Sequence, residues 1–451
     1  VFAIVLQASA WAAGQQPANV LLITVDTLRA DHLSSYGYAW KTSPYIDQLA
    51  SEGTRFDRAY TVIPLTGPAH LSLFTGRYPQ EHGARRNGEA MVSERPFPAL
   101  PQVLRANGYY TAGFVSGWPL NGRLTHIDDW FDHYDEELSR KYQVFNSSRW
   151  AEDVTPRAIH WLQNDRSKDR PFFLWVHFFD PHSPYDFREH FADMGRNGSQ
   201  PPLEIADAGT RERVRNYDTE IGYTDWYIGK LLAAVDELKL RDSTVVVLTA
   251  DHGESLGEHD YVGHGRHLYE NILRVPLIVR APAAKAGNVV TTPVSLLDVA
   301  PTILDLTIRP KLDRSKAPLP FAGRSLAPAI AAKEPLSARR IYYVTFPGKK
   351  GFAPKWLSWL WVNNQELPLR FGYLEGKRKL IWSPEESELA LGDLADDPDE
   401  RNMRIVSEGQ PYDTEARQLS QWFARTETRA VNQQVLSARD VEILKSLGYV
   451  Q

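Results

Sequence analysis

The sequence predicts an α/β fold: a mostly parallel central sheet sandwiched by helices, with a smaller C-terminal α+β subdomain. Three apolar runs carry that prediction: Asn19–Val25 (NVLLITV), Pro171–Phe179 (PFFLWVHFF) and Ser243–Ala250 (STVVVLTA). Each is continuous rather than alternating, as a strand covered on both faces must be. Each is followed by an aspartate, at Asp26, Asp180 and Asp251. Stretches of helical periodicity lie between them, and strands alternating with helices build parallel sheets.

Taken in order, Ser43-Pro44 opens a helical pattern through Ala50, and Phe56–Ile63 reads as a short strand. Leu100–Asn107 reads as a helix closed by Gly108, with a strand over Tyr109–Val115. Residues 117–150 are aromatic, polar and irregular, suited to walling a cleft. Trp150–Gln163 is an amphipathic helix, and Thr210–Leu240 a long one. Between them, Asp186–Gly209 has loop composition. Arg274–Arg280 is one more strand and Ser295–Leu306 one more helix.

Pro and Lys thicken over 308–340, in Arg309-Pro310-Lys311 and Lys316-Ala317-Pro318-Leu319-Pro320. Beyond lie short strand candidates, Arg340–Phe346, Trp356–Val362 and Arg378–Trp382, then helices near 411–428 and 437–447. The expected division is a catalytic domain over 18–335 and an α+β subdomain over 336–451. Residues 1–17 (Val1–Leu6, then small residues) are expected to be the remnant of a secretory signal, and export without cysteine suggests a secreted or bacterial periplasmic protein. The apolar stretch is too short to span a bilayer.

Composition removes several function classes. The 451 residues include no cysteine, so disulfides, zinc–thiolate centres and cysteine nucleophiles are excluded. The net charge of −5, without a long basic run, does not call for nucleic acid as a partner.

The chemistry is expected where the strands end. Open parallel sheets bind ligands beyond the carboxyl ends of their strands. Asp26, Asp180 with His182, and Asp251 with His252 therefore converge on one crevice. Thr66, in Leu65-Thr66-Gly67-Pro68-Ala69-His70, opens a helical pattern after an apolar run. Its hydroxyl would sit beside helix-opening N–H groups that favour an anion; by itself the turn is also an ordinary helix start. Two carboxylates, an imidazole and a hydroxyl make a hard-to-borderline donor set for calcium, magnesium, manganese or zinc. A cation there would activate the Thr66 oxygen and offset charge on a phosphate or sulfate. Asp31 and Glu254 read as supporting groups, and Arg77 as a structural ion pair. Asp180 with His182 is a minor candidate for a second metal.

These motifs resemble the sulfatase-like branch of the alkaline phosphatase superfamily. The matching text is Asn19–Asp31; Thr66-Gly67-Pro68-Ala69-His70 with Thr75-Gly76-Arg77-Tyr78-Pro79 and His82-Gly83; Phe179–Tyr185; Asp251–His259; His264–Glu270 leading into Arg274–Val279; and Leu391–Pro398 with Asp399-Glu400-Arg401-Asn402. The resemblance implies metal ligands at Asp26, Asp251 and His252, with Thr66 where sulfatases carry the residue converted to formylglycine. It implies a substrate contact on the leaving-group side at His182, and a further anion contact or ligand at His264 or His267. The chain departs from the pattern in four places. Threonine cannot yield formylglycine, so none is expected. His70 replaces the usual arginine, Thr27 the second aspartate of the first motif, and Val115-Ser116-Gly117-Trp118 the usual Gly-Lys-Trp-His.

The expected activity is therefore metal-dependent hydrolysis of a phosphate mono- or diester through Thr66. Thr66, His182, His70 and His264 are the catalytic candidates, and Asp26, Thr66, Asp251 and His252 the metal ligands. A phospho-threonine is cleared by in-line water. A threonine sulfate lacks the second oxygen through which formylglycine expels sulfate. The alternatives are a sulfuric ester hydrolase, a phospho-head-group transferase, or an anion-binding relative without turnover. The expected partner is a small-molecule, glycan-linked or lipid-linked phosphate or sulfate ester.

Overall fold

The computed structural model describes residues 17–91, 98–142, 145–193, 207–282, 284–308, 321–332, 335–346, 369–407 and 413–426. Residues 1–16 of the expected signal remnant, the Trp356–Val362 strand, the 437–447 helix and the Pro/Lys-rich stretch 309–320 lie outside them. The strands are β1 Asn19–Val25, β2 Thr54–Tyr60, β3 Tyr110–Phe114, β4 His133–Asp135, β5 Arg140–Tyr142, β6 Phe145–Ser148, β7 Phe172–Phe178, β8 Thr244–Ala250, β9 Ser255–Leu256, β10 Val262–Gly263, β11 Arg274–Arg280, β12 Asn288–Val290, β13 Val294–Ser295, β14 Ile341–Thr345, β15 Arg370–Glu375, β16 Arg378–Ser383, β17 Glu388–Asp393 and β18 Arg404–Ser407. The α-helices are α1 Pro44–Glu52, α2 Thr66–Thr75, α3 Pro79–His82, α4 Leu100–Ala106, α5 Gly122–Thr125, α6 Ala151–His160, α7 Ala208–Glu237, α8 Glu270–Leu273, α9 Val299–Thr307, α10 Ala327–Ile330 and α11 Asp413–Thr426.

The central sheet has the order β12-β2-β11-β8-β1-β7-β3-β4, with β13 also on β2. Its middle strands β8, β1 and β7 are mainly apolar and buried on both faces, apart from half-buried Asn19 at the start of β1; the polar side chains buried within them are Thr24, His177, Thr244 and Thr249. β1 pairs in parallel with both β7 and β8, in registers that bring Val25 opposite Phe178 and Ala250. The three strand ends therefore lie side by side, and Asp26, Phe179-Asp180 and Asp251-His252 leave the same edge. β11 is the reversed strand, antiparallel to β8 and to β2. Its direction follows from its approach. Gly253 donates to the Ile272 carbonyl at 2.7 Å and Glu254 to that of Asn271 at 3.1 Å, so the chain re-enters the sheet beside the end of β8 and can only run back.

The helices follow their sequence signals. α1 begins at Pro44, where a missing N–H is harmless. α7 is capped by Asp207, which accepts from Thr210 N at 2.9 Å. α2 is buried at every position: Leu71, Leu73 and Phe74 join the core of the central sheet, and Ala69 joins the apolar cluster of the C-terminal sheet. The latter is an antiparallel meander, β14 to β18 in sequence order. Its edge strand β14 reaches the catalytic body through Val344 N to Val62 O at 2.8 Å and through the Thr345 hydroxyl to the Gly265 carbonyl. Among the described residues, no helix is long and apolar enough to cross a membrane.

Candidate active site

Asp26, Thr66, Asp251 and His252 are brought together, all essentially inaccessible to solvent. Thr66 is the first residue of α2; Leu65 before it is extended and the chain turns sharply into the helix. Its Oγ1 donates to Asp26 Oδ2 at 3.3 Å and lies 3.5 Å from His252 Nε2. Gly67 N donates to Asn87 Oδ1 at 2.7 Å, which ties down the turn. Thr27, in the position of the missing second aspartate, is left-handed at φ 54°. That conformation is costly for a β-branched residue. It aims the Thr27 N–H at Asp251 Oδ1, 3.3 Å away, and its carbonyl accepts from Tyr217 OH at 2.7 Å. Gly253 is required for a different reason: a Cβ there would lie 2.1 Å from the Asn271 carbonyl oxygen.

The proton positions identify what is lacking between these groups. The Gly253 carbonyl can only accept, so His252 Nδ1, 2.9 Å away, carries the ring proton and Nε2 is a bare lone pair. That lone pair faces Asp26 Oδ1 at 3.8 Å and Asp251 Oδ2 at 3.6 Å. Both carboxylate oxygens are buried and have no hydrogen-bond partner among the described residues. Burial, then the charge of Asp251, push Asp26 well above the ordinary carboxylate range; burial pushes Asp251 up to about 6. Burial holds His252 well below the ordinary imidazole value. Converging lone pairs with no donor between them fit a divalent cation. The structure also groups Asp26, Asp251 and His252 within ligand distance of one another.

A second tier of histidines surrounds this centre. His264 Nδ1 bonds Glu254 Oε1 at 3.0 Å, and Tyr185 OH donates to the other Glu254 oxygen at 2.9 Å. The His264 ring stacks near His252, centroids 4.3 Å apart, and lies 5.3 Å from His182. His182 Nδ1 donates to the Ser183 carbonyl at 2.7 Å, which leaves Nε2 as an acceptor. Burial lowers both rings to about 3, so both are neutral.

Other candidates are placed elsewhere or already engaged. His70 has both ring nitrogens bound, Nδ1 to Thr66 O at 2.8 Å and Nε2 to Thr24 Oγ1 at 3.0 Å. His267 stacks on Tyr269 and meets Tyr261 edge-on. Asp180 Oδ2 accepts from Ala151 N at 2.9 Å and so caps α6, rather than joining His182. Asp31 pairs with Arg29 at 2.7 Å, and Arg77 with Glu81 at 2.9 Å. The sequence reading passed over His177. It sits on β7, fully buried, with Nε2 at 3.6 Å from Asp26 Oδ2. The one available signal was a single histidine inside an otherwise apolar strand whose next residues enter the crevice.

Comparison with known proteins agrees with the geometry. A family model described as Sulfatase matches residues 18–308, and one described as N-sulphoglucosamine sulphohydrolase, C-terminal, matches 257–427. The chain is 27% identical over 339 residues to the uncharacterized sulfatase YidJ of Escherichia coli K12, covering 64% of this chain and 67% of that one. It is 24% identical over 419 residues to the N-acetylglucosamine-6-O-sulfatase of Bacteroides thetaiotaomicron, covering 72% and 73%. The phosphonate monoester hydrolase of Agrobacterium radiobacter has the same fold, with a TM-score of 0.69 at 21% identity over 94% of this chain and 99% of that one. Sulfatase-family enzymes generally use a divalent metal, which the Asp26, Asp251 and His252 donors suit. The chain belongs to the sulfatase family and is a hydrolase of ester bonds.

Proposed function

We propose that this enzyme cleaves phosphate mono- or diesters through a covalent adduct on Thr66. The observation that carries the reading is the Thr66 hydroxyl, 3.3 Å from Asp26 Oδ2 at the opening of α2. Asp26, Asp251 and His252, with the Thr66 oxygen, would hold the divalent metal. When bound, that metal supplies Lewis-acid stabilisation of negative charge and favours the ionised alcohol. Asp26 holds the Thr66 hydroxyl and orients it toward the crevice. With the Thr66 proton released to solvent, attack by Oγ1 forms the O–P bond as the bond to the leaving oxygen breaks, and the leaving group departs as its oxyanion. His182, its Nδ1 proton fixed on Ser183, would contact the substrate on the leaving-group side. His264, held by Glu254, orders the same face.

Threonine favours phosphorus over sulfur. Water can displace Thr66 from a phosphoryl group in line, whereas a threonine sulfate has no neighbouring hydroxyl through which to eliminate. The sulfuric ester alternative is supported by the likeness to the N-acetylglucosamine-6-O-sulfatase of Bacteroides thetaiotaomicron. Export to a periplasm or exterior, expected from the first residues, belongs to the same proposal. The test is a panel of aryl phosphate, aryl phosphodiester and aryl sulfate, run before and after chelation, on the wild type and Thr66→Ala. The expected result is phosphate ester turnover that chelation and Thr66→Ala each abolish. Full activity in Thr66→Ala, or faster sulfate than phosphate cleavage, overturns the reading.

A further inference from the structure

Of the imidazoles against Asp26 and Thr66, His177 has a ring nitrogen whose proton has nowhere to go. Ser116 N lies 3.3 Å from His177 Nδ1, and an amide N–H can only donate. The lone pair of the neutral ring is therefore on Nδ1 and its proton on Nε2. Among the described residues, Nε2 has no hydrogen-bond partner; Asp26 Oδ2, at 3.6 Å, is beyond bonding distance. Asp26 Oδ2 is also the oxygen that receives the Thr66 hydroxyl. A buried N–H left without an acceptor is costly, and persists where a ligand supplies one.

The neighbouring ring does not share this property. Trp175 Nε1 donates to Thr24 Oγ1 at 2.8 Å, which leaves the Thr24 proton for His70 Nε2 at 3.0 Å. His70 Nδ1–H then donates to the Thr66 carbonyl at 2.8 Å. Every proton in that chain has an acceptor, so His70 holds the backbone of the nucleophile. His177 stands edge-on to it, centroids 5.1 Å apart, with its N–H unused. The same assignment speaks against a second cation between His70, His177 and Asp251, although their atoms lie close enough to suggest one. Both imidazoles there hold protons on the nitrogens a cation would need.

We propose that His177 is a catalytic residue whose Nε2–H donates to a non-bridging oxygen of the tetrahedral anion attacked by Thr66. The proton stays on Nε2 throughout, so the residue acts as a donor and not as an acid. The proposal rests on Thr66 being the point of attack, but its probe, inorganic phosphate, does not require turnover.

Two substitutions separate the donor from the fold. Asparagine still offers Ser116 an acceptor and has nothing at the Nε2 position; glutamine extends an amide N–H toward it. Phosphate binding to the metal-loaded protein is measured by calorimetry, with metal content per chain and the kinetics of an aryl ester. The expected result is phosphate binding weakened about tenfold or more and kcat lowered about 10²–10³-fold in His177→Asn. His177→Gln should recover part of both, with metal content unchanged. Phosphate binding within about twofold of wild type in a folded His177→Asn overturns the proposal. Loss of one metal equivalent in that variant also overturns it, in favour of the second cation. The same titration in Thr66→Ala distinguishes the two readings. If Thr66→Ala keeps turnover while His177→Asn loses phosphate, the nucleophile assignment fails and the donor stands.

Discussion

Thr66 combines two features that rarely meet by chance: a helix-opening position and a hydroxyl on a buried carboxylate. Substitution to alanine removes the alcohol and leaves the helix start intact, so the fold should hold. Turnover of an aryl phosphate should fall about 10³-fold or more. Thr66→Ser should retain measurable activity, because the attacking atom is kept. A second residue-scale expectation concerns pH. Asp225 is buried and accepts from Tyr45 N at 3.0 Å and Ile46 N at 2.8 Å, so it anchors the start of α1. Burial outweighs those donors and pushes its carboxyl up to about 8. An unfolded aspartate releases its proton near about pH 4, so over the interval to about pH 8 the folded chain holds the extra proton and stability falls as pH rises. Thermal melts from about pH 5 to about pH 8 should show that decline in the wild type, and a smaller one in Asp225→Asn, which has no proton to lose.

At the scale of elements, α2 shows how much one short helix has to satisfy. It ends at Gly76, left-handed at φ 60°, whose N–H closes on Ser72 O at 2.8 Å. A Cβ there would stand 2.6 Å from the Phe321 ring. Gly76→Ala should therefore cost about 1–3 kcal/mol from the backbone conformation, with added strain against Phe321. Denaturant unfolding would read the loss, and aryl ester kinetics on the still-folded fraction should change little, since Thr66 is at the opposite end. Much at this scale was legible in the sequence. β1, β7 and β8 were recognisable because a strand buried on both faces is mainly apolar, and the residues after them were placed by the rule that parallel strands end at one edge. The reversal of β11 was not legible, because direction is set by where the chain enters the sheet and not by its apolar pattern. His177 was missed for a related reason. Its defining partner is a backbone N–H after β3, brought close by strand pairing across 61 residues. Asp180 was legible only as a minor second-metal candidate: any aspartate after a strand fits the site pattern, and its bond from Ala151 N at the start of α6 is seen only in the structure.

For the whole molecule, the question is what holds the C-terminal sheet against the catalytic body, since β14 touches both the approach to Thr66 and the loop after His264. Lys379 on β16 is fully buried. Its Nζ lies 3.2 Å from Glu270 on α8 and 2.7 Å from Glu400 in the turn between β17 and β18. Glu400 also accepts from the Glu270 backbone N–H. One ammonium thus ties the meander to the helix that leads into β11, and it offsets two carboxylates. Lys379→Met would fill much of the volume and leave Glu270 and Glu400 facing each other without a cation. Removing one partner from a buried ion pair generally costs about 3–5 kcal/mol. A loss of that size should appear in the melt of Lys379→Met. Adding Glu400→Gln should recover part of it, because one of the stranded charges is gone. If the sheet serves to brace the site, the single variant should lose activity on warming before its catalytic body unfolds. At low temperature its metal content should match the wild type, because no ligand has moved. A Lys379→Met protein with wild-type melting behaviour would show that the two bodies are held by their apolar contacts alone, through residues such as Val62, Leu65 and Val344.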